Sequence, residues 1–174
     1  MRFSLFITDN QSGQKVPVFM ERATTEDLKI TTIPPQWQTD WTSDYIQNSG
    51  FELYALKTCA GELAALGAYE ICGDTVAVHI VYMESQAESN PVISETLKYR
   101  HIGRALIAFG IKLSVDAGFS GDVTLDAKTA ELETHYISTY GAIKLPSRYT
   151  SAAPRYLICD RAARDIFTRY LEED

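Results

Sequence analysis

Lys98–Phe119, KYRHIGRALIAFGIKLSVDAGF, changes character at a single point. Before Ile102 it is polar and basic. From there Ile102, Ala105, Leu106, Phe109, Leu113 and Ala117 recur at helical spacing, and Gly118 stands where a helix stops. Arg100-His101-Ile102-Gly103-Arg104-Ala105 thus falls on the first turn of a long helix. A helix N-terminus offers unpaired N–H groups and the positive end of a dipole. A glycine there lets backbone approach a ligand, and the two arginines add charge, so this is a place for a pyrophosphate to dock. Other phosphate motifs are absent: there is no GxxxxGK[ST] and no GxGxxG after a strand.

Upstream, Arg2–Thr8 and Val16–Glu21 flank the turn-rich DNQSGQ and read as an opening hairpin. Thr24 or Thr25 caps a short helix with Glu26 and Asp27 in its first turn, and Pro34-Pro35 ends it. Trp37, Trp41 and Tyr45 then recur every four residues, the pattern of one face of a second helix before Asn48-Ser49-Gly50. Phe51–Lys57, Glu62–Cys72 and Thr75–Met83 are β-rich, separated by Cys59-Ala60-Gly61 and by Gly73-Asp74, a tight-hairpin signal. They read as an antiparallel meander, followed by a polar loop over Glu84–Lys98.

Downstream, Asp122–Asp126 is a strand, Thr129 caps a helix to about Tyr140, and Gly141 suits its left-handed end. Arg155–Cys159 is a last strand, and Ala163, Ile166, Phe167, Tyr170 and Leu171 give a closing helix its apolar face. The predicted class is α/β: an antiparallel meander, then a βαβ crossover, in one mixed sheet with helices on both faces.

At 174 residues and with no repeat, linker or charge block, the chain reads as one domain over 1–174. A formal net charge of −7 is the wrong sign for a protein that binds nucleic acid by neutralising phosphates. No apolar run approaches the ~20 residues of a membrane span. Too few apolar residues follow Met1-Arg2 for a secretory leader, so a cytoplasmic location is expected. Cys59, Cys72 and Cys159 have no CxxC spacing, imply neither disulfide framework nor metal site, and are expected as small core residues.

Arg100 to Ala105 as R-x-x-G-x-A opening a helix after three hairpin strands resembles the coenzyme A pyrophosphate loop of GNAT N-acetyltransferases. The resemblance spans roughly residues 16 to 170 and takes in VFMERATTEDL, the meander, DVTLDAK and HYISTYGA. It implies the acyl-coenzyme A N-acyltransferase fold, with acetyl-coenzyme A as acyl donor between two splayed strands. Backbone N–H groups of His101, Ile102, Gly103, Arg104 and Ala105 would meet the pyrophosphate, beside Arg100. Tyr82 and Met83 would hold the pantetheine and the acetyl carbonyl.

An amine attacking a thioester requires a base, an oxyanion donor and an acid. Tyr136 is the candidate acid, although a four-residue spacing to Gly141 would put Ile137 there instead, and Ile137 has no proton to donate. Glu84 is the first candidate base, with Glu70 and His79 as others; His79 also fits a structural histidine. No cysteine is placed for a covalent intermediate.

The expected activity is acetyl transfer to a primary amine in a ternary complex. A non-catalytic acyl-coenzyme A binding module of the same fold is the alternative, and a plain interaction scaffold a third. For the acceptor, Trp37, Trp41 and Tyr45 would form an aromatic wall with Asp40 and Asp44 on the adjacent stripe, suited to a cationic amine, small or part of a protein. The closing helix could pack on its own sheet or on a second copy in a homodimer.

Overall fold

A computed structural model describes residues 1–71, 76–147 and 152–174. Its centre is the meander: β4 (Glu52–Thr58), β5 (Leu63–Ile71) and β6 (Val78–Ser85) pair antiparallel, β5 lying between its neighbours. Cys72 and the Gly73-Asp74 turn lie outside the described residues. On the other edge of β4 sits β3 (Lys15–Arg22), hairpinned to β2 (Phe6–Asp9), and beyond β2 the short β7 (Tyr99–Arg100). The opening strand is broken at Ser4-Leu5. Its first piece, β1 (Arg2–Phe3), instead pairs with β11 (Leu171–Glu172) at the chain's other end, closed by an ion pair between the Met1 amine and Asp174.

β6 leads through β7 and the helix α3 (Ile102–Asp116) to β8 (Val123–Asp126), which pairs parallel with β6, so the predicted crossover is present. After β8 come α4 (Ala130–Tyr140), β9 (Ile143–Lys144), β10 (Arg155–Ile158) and α5 (Asp160–Thr168), β10 pairing antiparallel with both β8 and β9. Among the described residues the large sheet has the order β7-β2-β3-β4-β5-β6-β8-β10-β9. Thr129 caps α4 by accepting from the Leu132 N–H, and Gly141 ends it at φ 64°.

Each face of the sheet has its own core. On one, Tyr69, Ile80, Leu106, Ile111, Leu125 and Tyr156 lie among the buried residues beneath α3, α4 and α5. α3 approaches closely because Gly110 has no side chain: a Cβ there would meet Ile80 Cδ1 at 3.0 Å. The Tyr69 hydroxyl donates to the Leu106 carbonyl at 2.8 Å and fixes α3 along the sheet. Ala163 and Ile166 bury α5 in this same core, so the closing helix packs on its own chain. It stops at Thr168; Tyr170 is buried beyond it and Leu171 belongs to β11.

The other face is covered by α1 (Thr25–Ile30), by α2 (Asp44–Gln47) and by the segment between them, with Leu28, Trp37, Trp41 and Ile46 packed on Ala55, Leu66 and Ala68. Thr24 closes a capping box with Asp27 at the start of α1.

The predicted helix carrying Trp37, Trp41 and Tyr45 on one face is not formed: only Asp44–Gln47 is helical. Trp37 and Trp41 are 5% and 1% exposed, whereas Tyr45 is 71% exposed. The reason is local. Asp40 Oδ1 accepts from the Thr42 N–H at 2.8 Å, a turn that competes with helix, and the Trp41 N–H donates to Thr31 Oγ1 at 3.1 Å. The cysteines also differ from expectation: Cys59 is exposed in the β4–β5 turn and Cys159 is half-buried where the chain enters α5.

A candidate active site where two parallel strands part

Register places the site. β6 and β8 pair at Val78–Val123, His79–Thr124 and Ile80–Leu125, and then they diverge. Val81 is bulged out of the β5 pairing, and from Tyr82 to Ser85 β6 keeps its partner β5 but has none on the β8 side, so backbone groups there face open space. Into this gap opens a cavity of about 510 Å³, lined by β6 from Ile80 to Ser85, the start of α3, the end of β8 and one face of α4. Ligands in such sheets bind beyond the carboxyl ends of adjacent parallel strands where the chain switches direction.

The start of α3 forms one wall. His101 is its N-terminal flanking residue, at φ 65°; no side chain caps this helix and no acid occupies its first turn. The His101 ring is tied to β2 through Nδ1 and Thr8 Oγ1, 2.9 Å apart. Burial, then Arg104, Arg100 and Arg169, hold its pKa below the usual value, so it stays neutral. Among the described residues Arg100 and Arg104 make no ion pair. A Cβ at Gly103 would meet only the Tyr140 hydroxyl, at 3.8 Å, so packing within the protein does not require this glycine. Free N–H groups, two unpaired cations and clear space fit a pyrophosphate. Of the predicted loop residues, Arg100 to Arg104 line the cleft, while Ala105 is turned into the core.

Tyr82, Met83 and Glu84 all line the gap from β6. Glu84 is heavily engaged: Oε2 accepts from the backbone N–H of Gln38 at 2.9 Å and of Thr39 at 3.3 Å, and Oε1 from Trp41 Nε1 at 3.3 Å. It anchors the α1–α2 segment to the cleft. Glu70 and His79 are cross-strand partners at the closed end of β6, away from the cleft lining. His79 is a structural residue there, with Nδ1 2.9 Å from Thr124 Oγ1 and Nε2 3.4 Å from Arg155. Trp37, Asp40, Trp41 and Asp44 do not line the cleft.

Tyr136 and Tyr140, one turn apart on α4, both do. Burial pushes the Tyr136 phenol up to about 12 and raises Tyr140 as well, so both keep their protons near neutrality. Ile137 points away and is 47% exposed. The cleft also holds Asp126, Lys128 and His135, which sequence reasoning passed over. The signal for Asp126 and Lys128 was their position at and just after the end of a strand parallel to the site strand; His135 comes from the middle of α4.

No family model matches the sequence, and neither does any curated protein. Solved structures do resemble it. A GNAT-family acetyltransferase from Listeria monocytogenes is 16% identical with a TM-score of 0.55, over 88% of this chain and 98% of that one. A Bacillus subtilis acetyltransferase in complex with CoA is 12% identical with a TM-score of 0.52, over 82% and 97%. The spermidine/spermine N-acetyltransferase SpeG from Vibrio cholerae is 9% identical with a TM-score of 0.54, over 88% and 97%. The chain has the GNAT N-acetyltransferase fold.

Proposed function

We propose that the protein is an acyltransferase that moves an acetyl group from acetyl-coenzyme A to a primary amine by direct attack in a ternary complex. The observation that carries this reading is one cleft combining a strand pair that parts after Ile80 with an uncapped helix N-terminus flanked by two unpaired arginines. The CoA complex of the similar Bacillus subtilis structure supports the same donor.

In the reaction a C–N bond forms, charge gathers on the carbonyl oxygen, the C–S bond breaks, nitrogen loses a proton and sulfur gains one. The unpaired edge of β6 supplies the N–H of Tyr82 or Met83 to the developing oxyanion. Tyr136, held protonated by its burial, donates to the departing sulfur. Glu84 takes the amine proton through the lone pair that its three donors leave open.

Calorimetry with coenzyme A and thiol release from acetyl-coenzyme A across a panel of amines test the reading. Gly103→Glu abolishes binding by putting bulk and negative charge against the pyrophosphate while the apo fold accommodates it. Arg100→Ala weakens binding by ~1–3 kcal/mol, as for a charged hydrogen bond. Undiminished affinity in Gly103→Glu would remove the donor site from α3.

A further inference from the structure

We propose that the acceptor is a small amine that also bears a carboxylate, and that Lys128 receives that carboxylate. The proposal rests on the acyl-transfer reading and names its substrate class.

Other charged side chains of the cleft are already committed. Both oxygens of Glu84 accept hydrogen bonds, and Asp126 is held by Arg155 at 2.8 and 3.2 Å. Arg100 and Arg104 stand at the start of α3, where the donor's pyrophosphate belongs. Lys128 has no such engagement. Its ammonium lies 4.8 Å from the centroid of the Tyr82 ring, and among the described residues it makes no ion pair.

Its side of the sheet matters. Tyr82 meets Trp41, Tyr45 and Phe51 edge-on, within the core on the face covered by α1 and α2; α3 packs on the opposite face. Lys128 therefore stands across the β6–β8 gap from the arginines, where the acceptor and not the pyrophosphate would lie. An ammonium placed on an aromatic wall is partly shielded from water, which strengthens its attraction for an anion. The Tyr82 hydroxyl donates to Tyr45 at 3.0 Å, and this leaves Tyr45 its own proton for an arriving carboxylate oxygen. The chain's net charge of −7 attracts cations at long range, but the charged side chain of the cleft left without an ion pair or hydrogen bond on the acceptor side, among the described residues, is a cation.

The test uses two matched pairs, L-alanine with ethylamine and L-phenylalanine with phenethylamine, in thiol release and in calorimetry on the coenzyme A-loaded protein. In each pair the amino acid is the better acceptor, with a KM lower by about tenfold, the worth of one charge-assisted hydrogen bond. Lys128→Gln erases the difference and Lys128→Arg keeps it, with the KM for acetyl-coenzyme A unchanged in both. No advantage for the carboxylate in either pair, including no binding by all four amines, overturns the proposal. So does a Lys128→Gln variant whose KM rises for acetyl-coenzyme A while the order of amines stays as it was. Failure of the unmodified protein to bind coenzyme A, measured without any amine, counts against the acyl-transfer reading itself and is told apart in that way.

Discussion

Tyr136 and Tyr140 share a helix face, with ring centroids 6.5 Å apart, yet they look at different parts of the cleft. The Tyr140 hydroxyl is the atom nearest to where a Gly103 Cβ would stand, and Arg104 acts on its pKa, so it belongs to the α3 end of the cleft. Tyr136 feels the charge of Asp126, at the end of β8 and hence at the mouth of the parted strands. That difference favours Tyr136 over Tyr140 as the proposed acid. Tyr136→Phe lowers kcat by ~10²-fold or more and leaves the KM for acetyl-coenzyme A in place, since it deletes a proton used only in the transition state. Steady-state kinetics on Tyr136→Phe and Tyr140→Phe side by side decide the matter; a loss of kcat confined to Tyr140→Phe moves the acid by one turn.

Among the elements, the segment between α1 and α2 shows what a sequence hides. Trp37, Trp41 and Tyr45 have helical spacing, but the backbone there is held by Thr31, by the Asp40 turn and by Glu84 of a strand 43 to 46 residues away. Those partners are distant in sequence, so no local pattern announces them. Elements whose ends are made locally were legible: the α3 periodicity, the Thr129 cap, Gly141, and the β-rich runs of the meander. The site followed the same division. That Arg100–Arg104 opens a helix was readable from its own residues, and the structure puts it on the cleft wall, whereas Lys128 becomes conspicuous only once β6 and β8 are side by side. Because Glu84 holds the segment through both oxygens, Glu84→Ala, which leaves no acceptor, frees the Gln38 and Thr39 amides. Hydrogen exchange at these two amides rises while exchange in α3 stays slow. Unchanged protection of both would show that the segment is held without the carboxylate.

At the scale of the molecule, two neutral histidines sit at opposite ends of the wedge that opens the cleft. His79 lies at the closed end of the β6–β8 pairing, where a ring protonated on Nδ1 gives its hydrogen to Thr124 and turns a lone pair to Arg155. His101 joins β2 to the start of α3. Burial comes first in lowering both pKa values, with arginines adding to it: Arg155 for His79; Arg104, Arg100 and Arg169 for His101. The unfolded chain, where histidine has its ordinary value near 6.5, therefore binds protons at a pH where the folded protein still refuses them. Stability is full above that value and falls as the pH drops below it, before the carboxylates begin to titrate at about pH 4. Thermal unfolding followed between about pH 7.5 and 5 shows a declining midpoint. His79→Gln, whose amide can still meet Thr124 and Arg155, flattens the decline. An equally steep decline in that variant would place the acid sensitivity elsewhere in the fold.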